Sequence, residues 1–165
     1  EYRENPPADN KGKVVVNDTD HLWGHTGGDT VWVWKSFCRG LNVLFMEEPM
    51  PSPTWQDSAR QGMKQTRQYA EKINLAAMTP ASQLASTGYC LADKGKEYVV
   101  FQPGSQGQFS VDLRDARGSC AVEWMNVSTG AIVAGKPVEG GARRTFPGPF
   151  GGPAALYIKC SAGNY

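Results

Sequence analysis

The chain has 165 residues, enough for one ordinary domain or two small ones, and its 40% hydrophobic and 20% charged content argues against a disordered or fibrous chain. The formal charge is +1. Neither half is basic enough for a phosphate-backbone binder (9 basic and 10 acidic residues in 1–80, 8 and 6 in 81–165), and no apolar run approaches the roughly 18 residues of a membrane span. No nucleic-acid or membrane partner is therefore expected. The chain starts at Glu1 with no signal-peptide pattern, as a processed product or a fragment would.

The first half reads strand, helix, strand, helix. Lys13–Asn17 is a short β-branched run that predicts a buried strand. Asp29, after Gly27-Gly28, is placed to cap a helix over Thr30–Arg39 whose inner face carries Val31, Trp34, Phe37 and Cys38, with Gly40 as its stop. Leu41–Met46 is a second apolar run and predicts a second strand. Pro49, Pro51 and Pro53 make a rigid loop. Thr54 then caps a longer helix to about Ile73, with Trp55, Ala59, Met63, Thr66, Ala70 and Ile73 facing inward. That order implies parallel strands joined by crossovers.

The second half changes character after a linker at about Met78–Ser86. Thirteen of the 19 glycines fall in residues 81–165, and short apolar runs alternate with turn signals. Tyr89–Ala92 and Glu97–Gln102, joined by Asp93-Lys94-Gly95-Lys96, read as a hairpin. Gln108–Leu113, Ser119–Val127, Ala131–Ala134, Arg143–Phe146 and Ala154–Cys160 follow. About seven short strands indicate an antiparallel sandwich or barrel that folds by itself. The fold class expected is α+β: residues 1–80 as a partial barrel-like βαβα segment, and 85–165 as an antiparallel β-sandwich. Two parallel strands and two helices cannot close a core alone, so the first half reads as the end of a larger (β/α)8-type barrel. Its exposed edges predict self-association into a homo-oligomer.

The four cysteines, at 38, 90, 120 and 160, show no CxxC spacing and no zinc cluster. Each lies in an apolar stretch, which reads as a buried free thiol. Cys120 and Cys160, both in the β-rich half, are the pair to test for a disulfide.

Chemistry-bearing residues concentrate after the first strand, at Asn17-Asp18-Thr19-Asp20-His21-Leu22-Trp23-Gly24-His25. The C-terminal end of a parallel strand is where α/β barrels place their chemistry. Asp18 and Asp20 supply carboxylates for acid, base or nucleophile roles, His21 and His25 hydrogen-bond hydroxyls, and Trp23 stacks on a sugar face. The same aspartates also suit loop hydrogen bonding and helix capping. Glu47 and Glu48 follow the second strand at the matching position, one turned into the site and the other away. A metal site is not indicated, because only His21 and His25 have ligand-like spacing and they lie in a glycine-containing loop. No cofactor is indicated. Asn17-Asp18-Thr19 and Asn126-Val127-Ser128 match the glycosylation sequon, a pattern common by chance.

Asn17-Asp18-Thr19-Asp20-His21-Leu22-Trp23-Gly24, followed by Trp32-Val33-Trp34-Lys35-Ser36-Phe37 and Arg39-Gly40, resembles the late part of the catalytic barrel of the apiosidase-like glycoside hydrolases. Leu41–Met46 looks like that barrel's last strand, and Arg67-Gln68-Tyr69-Ala70 with Leu75–Pro80 like its last helix. From Tyr89-Cys90-Leu91-Ala92-Asp93 onward the chain is similar to the β-sandwich catalogued as a collagen-binding domain of a collagenase. Glu97–Phe101, Phe109–Leu113, Val122–Asn126 and Pro149-Phe150-Gly151-Gly152 carry that likeness. The resemblance implies a (β/α)8 barrel that cleaves glycosidic bonds of plant or algal polysaccharide. The residues themselves make Asp18, Asp20 and Glu47 the candidate catalytic carboxylates and His21, Trp23, His25 and Glu48 the candidate substrate contacts. About six preceding strands are lacking, so the chain alone is expected to be inactive and to bind carbohydrate weakly. The competing reading is a non-catalytic sandwich that binds carbohydrate or a matrix protein. An exposed line drawn from Tyr89, Tyr98, Phe101, Phe109, Trp124 and Tyr157 would favour it.

Overall fold

The computed structural model describes residues 2–8, 12–19, 22, 28–46, 56–104 and 107–161. Its first part contains β1 (Val16–Asp18), α1 (Thr30–Cys38), β2 (Asn42–Leu44) and α2 (Gln56–Lys72). β1 and β2 pair in parallel with Asn17 opposite Val43, as the strand–helix–strand order predicts. Each strand is three residues long; β2 lies within its predicted run, whereas β1 begins three residues into the Lys13–Asn17 run and ends one residue beyond it, at Asp18. The expectation of a buried first strand needs correction. Asn17 and Thr19 turn toward the helices and are buried, whereas Val14 and Val16 on the opposite face are exposed.

Asp29 caps α1 as expected, its carboxylate accepting from Trp32 N at 2.7 Å. Gly28 precedes it at φ +78°, and a Cβ there would lie 2.8 Å from the Trp32 ring, so glycine alone fits. The inner stripe Val31-Trp34-Phe37-Cys38 understates the burial of α1. Thr30, Trp32, Val33, Trp34, Ser36 and Cys38 are all buried, because the helix is wrapped by β1, by α2, by the large sheet and by residues 2–8. Trp32 Nε1 donates to Tyr2 O at 3.0 Å and Lys35 Nζ to Glu4 O at 2.8 Å. Gly62 lets α2 approach α1 closely: a Cβ there would sit 2.9 Å from that of Val33. Thr30 N donates to Ser58 Oγ at 3.1 Å, fastening the start of α1 to α2.

The second part holds β3 (Thr79–Pro80), β4 (Cys90–Asp93), β5 (Glu97–Gln102), β6 (Gln108–Asp112), β7 (Ser119–Asn126), β8 (Ile132–Ala134), β9 (Val138–Glu139), β10 (Arg143–Pro147) and β11 (Ala154–Cys160). The large sheet runs β3-β4-β5-β11-β7-β8, with β9 also on β7; β6 and β10 form a second, two-stranded sheet. All pairings in both sheets are antiparallel, and the β4–β5 hairpin turns between Asp93 and Glu97 as predicted. The two sheets enclose one core of Tyr98, Val100, Phe109, Val111, Trp124, Phe146, Leu156 and Ile158. The chain is thus mixed in class with mostly antiparallel sheets.

The large sheet is covered on its other face as well. Leu91, Val99, Phe101, Met125, Ala155 and Tyr157 pack against Trp34 and Cys38 of α1 and against Tyr69 and Ile73 at the C-terminal end of α2. Trp34 stacks on Phe101 (5.8 Å, 17°) and meets Tyr69 edge-on at 5.6 Å. All six residues of β5 are buried, since both of its faces are used. The result is three layers: helices, large sheet, small sheet.

The cysteine reading is half corrected. Cys120 and Cys160 face each other across β7 and β11 and form a disulfide. Cys38 and Cys90 remain free and buried. Burial pushes the Cys38 thiol well above its ordinary value and the Cys90 thiol up to about 12, so neither is a nucleophile.

Candidate functional site

Among the proposed site residues, Asp18 lies within the described structure; Asp20, His21, Trp23, His25, Glu47 and Glu48 lie outside the described residues. Asp18 is the last residue of β1, half-buried, opposite Leu44 of β2. It shares the strand face with Val14 and Val16, away from the helices. Because the strands are parallel, the segment that begins at Thr19 and the one that begins at Phe45 leave from the same end of the sheet. Asp18 and Leu44 therefore close the two strands at the same end of the sheet, the end where parallel α/β folds place their chemistry.

Two buried polar side chains fix that end. Thr19 is fully buried, and its hydroxyl accepts from Met46 N at 2.9 Å, tying the residue after β1 to the segment after β2. Asn17, 2% exposed, donates from Nδ2 to Ser36 Oγ at 3.0 Å and so ties β1 to α1. Sequence reasoning missed both. Their signal is a β-branched hydroxyl and an amide at inward strand positions, where alternation calls for apolar residues. The burial of Asn17 also removes it as a glycosylation acceptor. Leu22 packs with Trp32, Val33 and Ala59, and Gly28-Asp29 hold the start of α1. Among the described residues no group of three or more His, Cys, Asp or Glu could hold a metal, and no helix is long and apolar enough to cross a membrane.

The sandwich aromatics face inward. Tyr89, Tyr98, Phe101, Phe109, Trp124 and Tyr157 are each 9% exposed or less, so they form no exposed platform. Two glutamates on the large sheet instead hold α2. Glu97 accepts from Asn74 N (3.0 Å) and Tyr157 OH (2.9 Å) and pairs with Lys159; Glu123 accepts from Tyr69 OH (3.1 Å) and pairs with Lys72. Burial opposes the Glu97 charge, but the Asn74 amide, the Tyr157 hydroxyl and Lys159 outweigh it, and its pKa lies below the ordinary range. Burial, with the Glu123 carboxylate added, raises the Tyr69 hydroxyl, and burial and Glu97 raise that of Tyr157; both phenols stay protonated donors.

The fold is one found in glycoside hydrolases. One such solved glycoside hydrolase superposes with a TM-score of 0.63 at 13% identity, over 85% of this chain and 39% of its own. A glycoside hydrolase of family 5 from Bacteroides vulgatus superposes with a TM-score of 0.60 at 11% identity, over 82% of this chain and 36% of its own. This chain therefore spans under two fifths of the length of either. No protein-family model and no curated protein matches the sequence.

Proposed function

We infer that this chain is the C-terminal part of a glycoside-hydrolase-like protein acting on polysaccharide, with the α/β half contributing part of the active-site rim. The observation that supports this reading is the parallel β1–β2 pair, whose strands end together at Asp18 and Leu44, in a fold shared with glycoside hydrolases. Cleavage of a glycosidic bond needs two carboxyl groups, one to protonate the leaving oxygen and one to act as base or nucleophile across the sugar ring. Asp18, Asp20 and Glu47 are the carboxyls assigned to that work. His21, His25 and Glu48 orient sugar hydroxyls, and Trp23 offers an apolar face. The remaining wall of the cleft comes from polypeptide outside these residues, so the 165-residue chain alone binds sugar weakly and does not hydrolyse it. The sandwich buttresses the α/β half; the inward-facing aromatics support this role over a separate carbohydrate- or matrix-protein-binding module.

The test is an assay of reducing-sugar release from plant polysaccharides by the 165-residue chain and by the same chain extended with whatever sequence lies in frame upstream of Glu1. Activity is expected only in the longer form, and Asp20→Asn is expected to reduce it at least 100-fold. Hydrolysis by the 165-residue chain alone, or activity of the longer form that survives Asp18→Asn and Asp20→Asn together, would overturn the assignment.

A further inference from the structure

Two cations at the C-terminal end of α1 share one aromatic ring. Arg39, the C-cap residue, and Lys35, one turn earlier, lie over the ring of Tyr89 at 4.8 and 5.6 Å from its centroid. Among the described residues neither has a carboxylate partner. Their hydrogen bonds go to uncharged oxygens: Lys35 Nζ donates to Glu4 O at 2.8 Å, Arg39 Nη1 to Ser82 Oγ at 3.0 Å, and Arg39 Nη2 to Asn5 Oδ1 at 3.3 Å. Arg39 Nε is buried and has no hydrogen-bond partner. A buried donor left unpaired is costly and rare, more so on a charged group. Nε and Nη2 form one edge of the guanidinium, and their parallel N–H bonds match the two oxygens of a carboxylate. Asn5 offers that edge a single oxygen, which also accepts from Tyr89 OH at 2.8 Å. Because arginine only donates, the Asn5 amide must present its oxygen, and its NH2 group cannot serve Nε.

We propose that Arg39, Tyr89 and Lys35 form a binding site for a carboxylate, the group of a free acid or of an acidic sugar, and that residues 2–5 lie over it as a competing strap. The incoming carboxylate replaces the Asn5 carboxamide. One of its oxygens accepts from Arg39 Nη2 and Tyr89 OH, as Asn5 Oδ1 does in the strapped form, and the other accepts from Nε. Lys35 adds a second positive charge beside the same ring. The strap is suited to leave: residues 2–5 are exposed throughout, and apart from Asn5 they are held to α1 through the backbone oxygens of Tyr2 and Glu4. A flat fork of two donors selects a carboxylate over a halide or a neutral sugar. The site lies at the opposite end of α1 from the Asp29 cap, so it is separate from the strand ends assigned to glycoside chemistry and fails or holds without them.

The experiment titrates the isotope-labelled 165-residue chain with sodium acetate and with sodium glucuronate at constant ionic strength and follows the NMR resonance of Arg39 Nε–H, with sodium chloride and glucose as references. Both carboxylates are expected to shift that resonance saturably, and the references are not. Acetate binding as tightly as glucuronate assigns the site to a free acid; glucuronate binding about tenfold tighter, which is about 1.4 kcal/mol, assigns it to an acidic sugar. Asn5→Asp supplies the second oxygen from the strap itself, so it is expected to shift the resonance without ligand and to weaken carboxylate binding by about tenfold or more. Asn5→Gly removes the competitor and is expected to tighten binding. Both variants change an exposed residue and leave the core untouched. Arg39→Lys keeps the charge but lacks the two-donor edge, and carboxylate binding is expected to be lost. A resonance that ignores both carboxylates in the unaltered chain and in Asn5→Gly overturns the proposal, as does a response to chloride equal to the response to acetate.

Discussion

Gln65 shows how one polar residue joins the two parts of the molecule. It is 3% exposed at the centre of α2, yet both ends of its amide are used. Its Oε1 accepts from Trp34 Nε1 at 2.9 Å, and its Nε2 donates to Val127 O at 2.9 Å. One side chain thus satisfies an indole on α1 and a carbonyl beyond β7. Removing it strands the buried Trp34 indole and leaves Val127 O with only the longer bond from Gln61 Nε2 at 3.3 Å, and leaving a buried polar group unpaired costs about 1–3 kcal/mol. Gln65→Ala is expected to lower the free energy of unfolding by about that amount in a urea titration, whereas Gln68→Ala, at an exposed position of the same helix, is expected to change it by less than about 0.5 kcal/mol. A hydrophobic pattern cannot find Gln65, because the signal lies in its partners and not in its own polarity. The Cys120–Cys160 bond was half legible for a related reason. Sequence places both residues in the β-rich half, but only the β7–β11 register sets them face to face.

At the scale of elements, α2 is docked by charge as well as by burial. Glu97 holds the amide of Asn74 just beyond the helix end, and Glu123 holds Tyr69 and Lys72. The pKa of Glu97 is lowered in the folded state, so its contribution to stability is complete above the ordinary value near 4.5 and fades as the pH falls through the lower folded value. Glu97→Gln is therefore expected to cost stability at pH 7 and to flatten the loss of stability below about pH 4.5, read from urea midpoints across pH 3–7. An unchanged acid slope in the variant would remove Glu97 from this role. The helices themselves were legible: the Asp29 cap and the start of α1 follow from local sequence, and Ala59, Thr66 and Ile73 are inward as their spacing requires. Tyr69 was not legible as core. Its ring is buried against Trp34 and Tyr157 while its hydroxyl reaches Glu123, an arrangement that exists only once α2 lies on the large sheet.

For the whole molecule, the consequence of three layers is that residues 78–161 do not carry all the cover they need. Their large sheet presents Leu91, Val99, Phe101, Met125 and Tyr157 to α1 and α2. Excised, that segment keeps the core between its two sheets and its disulfide, and exposes an apolar face. It is expected to unfold cooperatively at a midpoint at least 10 °C below that of the 165-residue chain and to bind a hydrophobic dye that the full chain binds less. Equal stability and equal dye binding would mean that the helices add nothing to the sheet. By itself the sequence determined the local order of strands and helices, the cap and stop of α1, the β4–β5 turn and the antiparallel character of the second half, because propensity, capping and periodicity act over a few residues. The tertiary structure alone decided which faces are covered. The sequence shows the same β-branched pattern for a strand buried on both sides and for one, like β1, with Val14 and Val16 in water, since burial depends on what distant elements bring against the sheet.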